Sequence, residues 1–460
     1  MNQSAPWTGS GELQFEAAKR LKRRSSLEFL WRYPILLLAF GPPAFKGTVA
    51  GDTSQAHFDI WNVIQVCWLF AISLRAISRL VYLRSVRIPK QIRSILKYSL
   101  FLGLLFMVSI IYSPGRIVSS EFLVLYSLNL ICLVEFLVDV YQDPPDWMEC
   151  LFQLRRIAVV LMIIVVLCLP IRPEYVLTSV SSAGLRLMGG SVGQMPVLCP
   201  IVVIISAYTF LHSLEPRGRA FLLFLVGLAG VAITQTRGAE IAVLIVLTIL
   251  GIEWAKGSQR RTNILAFGLI SMALVAGVGL VVIGGERVLN TVNRGQDITT
   301  TLTASGRTVY WEDLILYCVD HPQGMGYIAG IRHAKLGLYA ADLHAVLNGV
   351  GGADNSYMQV LSDAGWISLA LYLVMLGKIF ALGWRFATGK DLSVQFVRKS
   401  VTDHALRCAL ILFVFCLIEQ MENSEFVIPL RQPFYIQNII IAIILGISIS
   451  LIKVSRPRYA

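Results

Sequence analysis

Long runs of uncharged apolar residues recur along this chain; Ile157 to Ile171 is one and Phe221 to Ile233 is another. Lipid cannot satisfy backbone N–H and C=O groups, so a run of about 20 mostly apolar residues in it must be a helix. Charged residues make up 15% of the chain and the mean hydropathy is +0.67. An ordinary soluble domain carries roughly 25% charged residues. A soluble globule of 460 residues could not be covered with so little charge. The expected fold is therefore all-α, a polytopic integral membrane protein built as one membrane domain.

Hydropathy predicts roughly twelve spans, centred near Leu37, Leu69, Leu105, Leu130, Ile164, Val203, Val226, Val246, Ala273, Leu373, Phe413 and Ile443. The first apolar run, Trp31 to Phe45, lacks a small-residue cleavage site and is expected to be an uncleaved span. The net charge of +12 and pI of about 9.4 would suggest nucleic acid in a soluble protein. Here the basic residues gather in alternate loops: Lys19 to Arg24, Arg84 to Lys97, Arg155 and Arg156, Arg217 and Arg219, Lys256 to Arg261, Arg385 to Lys399, and Lys453 to Arg458. The positive-inside rule places these loops and both termini in the cytoplasm. Of the eight cysteines, six lie within apolar runs, Cys150 is expected in a cytoplasmic loop and Cys318 outside, with no disulfide framework.

Two long connections fall on the opposite side, Arg172 to Gln194 and about Gly284 to Asp363. Long connections in compact proteins are usually functional or disordered. The second holds an expected amphipathic helix, Thr308 to Val319, with Trp311, Leu314, Ile315, Cys318 and Val319 as its apolar stripe. Asp320, His321, Pro322 and Gly324 end it.

Three arginines on this outer side sit beside glycines at turns: Arg186 in RLMGG, Arg237 in TQTRGAE and Arg307 in ASGRTVYWEDL. Glycine lets backbone approach a ligand closely. Arginine offers a planar, permanently charged fork that fits phosphate. Together they could hold a diphosphate and stabilise it as a leaving group; singly, each could pair with a local carboxylate such as Glu240 or Glu312. Asp354, in GGADNSYMQVLSDAGW, could act as a general base toward a sugar hydroxyl or simply cap the following helix. His344 and Glu422 are the other candidates for the base; Asn355 and Tyr357 are candidate supporting or acceptor-side residues. Glu135 and Asp139 lie one turn apart and are expected to form a structural ion pair with Arg75 or Arg79, while Glu419 and Glu422 are expected to be solvated. His321, His333 and His344 have no metal-ligand spacing, so no zinc site is expected.

These pieces, in this order, resemble the superfamily of O-antigen ligases and Wzy-type polysaccharide polymerases. Arg186-Leu-Met-Gly189 resembles its outer-loop Arg-x-x-Gly, and Thr236-Arg237-Gly238-Ala239 its Ser/Thr-Arg-Gly-Ala turn. Ser305-Gly306-Arg307 with Trp311 is similar to its Ser-Gly-Arg…Trp helix start. His321-Pro322 through Gly324 and Gly326 is similar to its His-Pro…Gly-x-Gly segment, and Asn355-Ser356-Tyr357 through Gly365 to its His-Asn…Gly lead into a span. The departure is Asp354, where the ligases carry His.

The resemblance implies a GT-C-type membrane glycosyltransferase of the bacterial inner membrane, multi-pass with both termini cytoplasmic. It implies an undecaprenyl-diphosphate-linked glycan as donor, inverting transfer with no cofactor or metal, donor-diphosphate binding by Arg186, Arg237 and Arg307, and catalysis by Asp354 with Arg237. The expected organisation is a cytoplasmic basic tail (1–30), transmembrane helices one to nine (31–283), a periplasmic loop with its amphipathic helix (284–363) and helices ten to twelve (364–460). The expected function is polymerisation of lipid-linked repeat units into O-antigen or exopolysaccharide, with a chain-length regulator or export machinery as partner. A ligase transferring the same glycan to lipid A–core or protein is the first alternative. A transporter or flippase is the second, and it should show polar residues near the midplane rather than at the outer surface.

Overall fold

In the computed structural model, residues 26–40, 60–82, 88–113, 116–171, 173–180, 184–187, 195–234, 236–256, 258, 307–327, 355–388, 401–421 and 432–455 are described. They form helices α1 (Ser26–Arg32), α2 (Ile60–Tyr82), α3 (Lys90–Ile110), α4 (Arg116–Gln142), α5 (Trp147–Cys168), α6 (Met195–Leu211), α7 (Arg217–Thr234), α8 (Arg237–Ala255), α9 (Arg307–Asp320), α10 (Ser356–Thr388), α11 (Val401–Glu419) and α12 (Gln432–Ser455). A 3-10 helix, Pro34–Phe40, follows α1, and a hairpin of β1 (Leu177–Val180) and β2 (Gly184–Leu187) precedes α6. Among the described residues, seven helices are long and apolar enough to cross a membrane. The protein is thus a predominantly helical, polytopic membrane protein.

The count of twelve spans rests partly on residues outside those described, the centre at Ala273 among them. Two other expectations change. The run around Leu37 forms two seven-residue pieces rather than one span, because Pro34 supplies no N–H to continue α1. Seven 3-10 residues reach only about 14 Å, against a hydrocarbon core of about 30 Å. Cys150 lies in the first turn of α5 and is fully buried, not in a loop. All eight cysteines are free.

Apolarity on every face puts α6 and α12 at the centre. Nearly every residue of α6 is buried, and 83% of the membrane window of α12 is buried, against 28% for α3 and α7. A helix hydrophobic all round belongs inside; one with a single packed face leaves the rest to lipid. The packing of α7 on α6 requires glycine: a Cβ on Gly230 would stand 2.5 Å from Cys199 Sγ, and one on Gly227 would stand 2.8 Å from Val203 Cγ2.

Polar contacts sort the helix ends into two sets. Near the end of α2, Arg79 binds Glu135 (2.8 Å) and Asp139 (2.5 Å) near the end of α4. This is the structural ion pair expected from sequence; Arg75 instead donates to the Trp31 carbonyl. Lys453 of α12 donates to the Tyr141 carbonyl of α4 (2.9 Å). Arg155 of α5 forms a buried two-pronged pair with Glu215, in the α6–α7 connection, and Thr209 donates to the same carboxylate (2.6 Å). Arg407 of α11 binds Glu253 of α8 (2.8 Å) and the Ala387 carbonyl of α10 (3.3 Å). One end of the bundle therefore collects the last turns of α2, α4, α6, α8, α10 and α12 with the N-terminal halves of α5 and α11 and the lead into α7. The first turns of α6, α8, α10 and α12 must then lie at the opposite end.

Helix α10 is broken there. Ala364 (φ −149°, ψ 20°) and Gly365 (φ 78°, ψ −172°) interrupt its helical geometry. The segment leaving α9 fills the break. The Trp366 N–H donates to the Pro322 carbonyl (3.2 Å) and the Met325 N–H to the Ser362 carbonyl (2.6 Å). The Trp366 indole donates to the Cys318 carbonyl (2.9 Å) and Tyr112 Oη to the Gln323 carbonyl (2.6 Å). Backbone groups freed by a broken helix are thus paired by another segment.

Candidate functional site

The segments that carry Arg186, Arg237 and Asn355, and the last turn of α9, lie at the end of the bundle opposite the ion pairs. Strand β2 carries Arg186, paired across the hairpin with Thr178, and β2 packs on α7. Two residues separate α7 from α8, which begins at Arg237. The strand of Arg186 and the turn of Arg237 are thus brought to one place. Thr236 occupies the N-cap position of α8, but its Oγ1 turns back to the Thr234 carbonyl (3.3 Å) rather than capping the first turn. Arg307 is the first residue of α9, as Arg237 is of α8. A helix start presents N–H groups and the positive end of its dipole, which favours an anion.

The side chains of Arg186, Arg237 and Arg307 lie outside the described residues, as do Asp354, His333, His344 and Glu422 entirely. Their neighbours are described. Asn355 caps α10, its Oδ1 accepting from the N–H groups of Tyr357 (2.9 Å) and Met358 (3.1 Å). The capping role that sequence offered to Asp354 is filled by Asn355, one position on, where the carbonyl reaches the second and third residues ahead. Asn355 Nδ2 also donates to the Met421 carbonyl (2.9 Å), and the Ser356 N–H to the Gln420 carbonyl (2.9 Å). Tyr357 donates to the Leu417 carbonyl (3.1 Å). These bonds fasten the start of α10 to the end of α11. Glu419, expected to be solvated, is 1% exposed, because the two ends close over it.

From sequence, His321, Pro322 and Gly324 read as a helix end and, with Gly326, as a segment similar to the family's His-Pro…Gly-x-Gly. In the structure it is a seat for α10. A Cβ on Gly324 would meet the Ser362 carbonyl at 2.6 Å, and one on Gly326 would meet Ser113 Cα at 2.5 Å. Both glycines have positive φ. Beyond them, Tyr327 inserts to stack on Phe106 (4.4 Å between ring centroids), with its N–H donating to Ser109 Oγ (3.1 Å) and its carbonyl accepting from Ser119. The paired glycines were the signal for this seat. His321 stacks on Tyr317 (4.2 Å). Burial at the seat pushes the Cys318 thiol up to about 11.

These features define a membrane protein in which two helices, α8 and α9, begin at an arginine. Residues 222–373 match the Wzy_C family, O-antigen ligase, from within α7 to within α10. Over that segment the chain is similar to this family, as its motifs indicated. Arg237, Arg307, the α9–α10 seat and Asn355 lie inside the matched segment; Arg186 lies before it. No curated protein matches the chain.

Proposed function

We propose that this protein transfers a glycan from a polyprenyl-diphosphate carrier to an acceptor hydroxyl on the periplasmic side, as an O-antigen ligase with lipid A–core as acceptor. The observation that carries the reading is the match of residues 222–373 to the O-antigen ligase family. The helix starts at Arg237 and Arg307 within it support the assignment of a diphosphate site. In the proposed reaction the acceptor oxygen attacks the anomeric carbon with inversion, and Asp354 takes its proton. The bond from that carbon to the diphosphate breaks, and the lipid diphosphate leaves against Arg186, Arg237 and Arg307. No metal takes part in this proposal, and the basic loops face the cytoplasm in it.

A second reading, the polymerase, is favoured by Asp354 itself, because the ligases carry His there. Purified protein given an undecaprenyl-diphosphate-linked repeat unit separates the two. Transfer only after lipid A–core is added supports the ligase. A ladder of longer glycans still on the carrier without that acceptor supports the polymerase. No reaction under either condition refutes both and returns the transporter. Arg237→Ala should abolish transfer, and Arg237→Lys should lose most of it, since a point charge replaces a fork.

A further inference from the structure

The bilayer boundary can be located on α10. Its exposed large apolar residues after the break, Trp366, Ile367, Leu373, Val374 and Trp384, follow a helical stripe that also carries Lys378, whose ammonium lies over the Tyr98 ring. Trp366 and Trp384 are eighteen residues apart, about 27 Å along a helix, which is close to the hydrocarbon thickness of about 30 Å. Tryptophan favours both membrane interfaces. Trp366 therefore marks the interface at the motif-bearing end, and its indole donates to the Cys318 carbonyl of α9 (2.9 Å). The last turns of α9 are held at the depth of that interface.

Helix α9 has three faces. Leu314 and Cys318 are fully buried against the protein. Asp313, Tyr317 and Asp320 form a polar flank, with Asp320 exposed. Between these faces lie Ile315, half-buried, and Leu316 and Val319, which are 58% and 61% exposed. This third face was not separated from the buried stripe by sequence periodicity. At α10, Ile367 is 68% exposed, so the apolar surface continues from the spanning helix onto α9. Glu312 lies one turn before Leu316 on the same arc and is exposed, which keeps the first half of α9 out of hydrocarbon.

We infer that α9 is an interfacial helix tilted into the bilayer, with Ile315, Leu316 and Val319 in the acyl region and its Arg307 end raised to the headgroups. The partner of this face is the lipid surface. The inference does not depend on which glycan reaction the protein performs.

The test uses the full chain in mixed phosphatidylethanolamine–phosphatidylglycerol vesicles. Bimane is attached to Leu316→Cys, Val319→Cys or Asp320→Cys in a background with Cys67 and Cys168 replaced, the other native thiols being buried. Labels at 316 and 319 should be quenched several-fold more by acyl-chain nitroxide lipid than the label at 320, which should respond to iodide instead. In parallel, the unsubstituted protein is photolabelled with an acyl-chain diazirine lipid, and adducts are expected on 315–319. Equal iodide quenching at all three positions, or lipid adducts on α10 but none on 315–319, would overturn the inference and leave this face to water or a protein partner.

Discussion

Replacing Gly365 with Ala should unlatch α9 from α10. A Cβ there would stand 1.9 Å from the Pro322 carbonyl oxygen and 2.8 Å from the Gln323 carbonyl carbon. Ordinary contact begins near 3.4 Å, so the Pro322 carbonyl must retreat by about 1.5 Å. That movement breaks its bond from the Trp366 N–H, at a cost of about 1 kcal/mol or more when a buried group is left unpaired. The backbone itself, at φ 78° and ψ −172°, occupies a region almost confined to glycine, and an L-residue held there costs about 1–3 kcal/mol. Lower entropy of the unfolded chain returns about 0.4–1 kcal/mol. The net loss is about 1–4 kcal/mol, localised at the seat. Cys318 reports it directly: its thiol is buried and reaches the Leu361 carbonyl (3.8 Å). Each 1.4 kcal/mol off the opening free energy is tenfold in open population, so maleimide labelling of Cys318 should accelerate about 5- to 700-fold. Peptide-resolved mass spectrometry separates it from the exposed Cys67. Gly377→Ala is the control on the same helix, since nothing lies within 4 Å of its added Cβ. If Cys318 labels no faster in Gly365→Ala than in Gly377→Ala, the seat does not hold α9.

Asn355→Ala should lower stability by about 0.5–2 kcal/mol through the lost cap. Asn355→Asp should recover most of that loss, because Oδ1 still accepts from Tyr357 and Met358 while only the bond to Met421 goes; melting curves in detergent compare the two. Burial alone would raise the Glu215 carboxyl, but its bonds from Arg155 and Thr209 outweigh this and hold it below the usual range. Its contribution is therefore present above the unfolded value of about 4.3 and disappears as pH falls through the lower folded value. Glu215→Gln should cost on the order of 3–5 kcal/mol at neutral pH, since it strands a buried Arg155, and should flatten the stability profile in that acid window. Gly230→Val should reduce the yield of monodisperse protein by overpacking α7 against Cys199, typically at about 1–3 kcal/mol.

What sequence conveyed depended on whether the signal was local. The amphipathic helix expected over 308–319 is observed at Arg307–Asp320, because apolar spacing fixes one face of a helix. The partners of Glu135 and Asp139 were legible because uncompensated intramembrane acids demand a cation on a neighbouring helix. The β1–β2 hairpin was not legible: its strands have four residues each, too few for alternation to register. Asp354 and Asn355 are both good caps, so only backbone geometry separates them. The break in α10 is filled from about forty residues earlier in the chain by Pro322 and Met325, and no window on the sequence spans such a pairing.

That non-local pairing bears on how the proposed site is held. Arg237 stands on α8, packed on the central α6 and on α11. Arg307 stands on α9, which packs on α10 through the Cys318–Trp366 bond and the Pro322–Gly326 seat. The start of α10 is in turn fastened to the end of α11 by Asn355 and Ser356. The two helix starts are therefore linked through α11 and α10: packing and the Arg407–Glu253 ion pair join α8 to α11, and bonds to backbone carbonyls join α11 to α10 and α10 to α9. The carbonyl bonds do not titrate, so that part of the chain can hold α9 in place while the charge of Arg307 remains available for a phosphate ligand. If Gly365→Ala loosens the seat as calculated, transfer should fall with Arg237 itself untouched. Raising the concentration of lipid-linked donor should restore part of the rate, since the defect is then one of donor positioning rather than loss of a charged group.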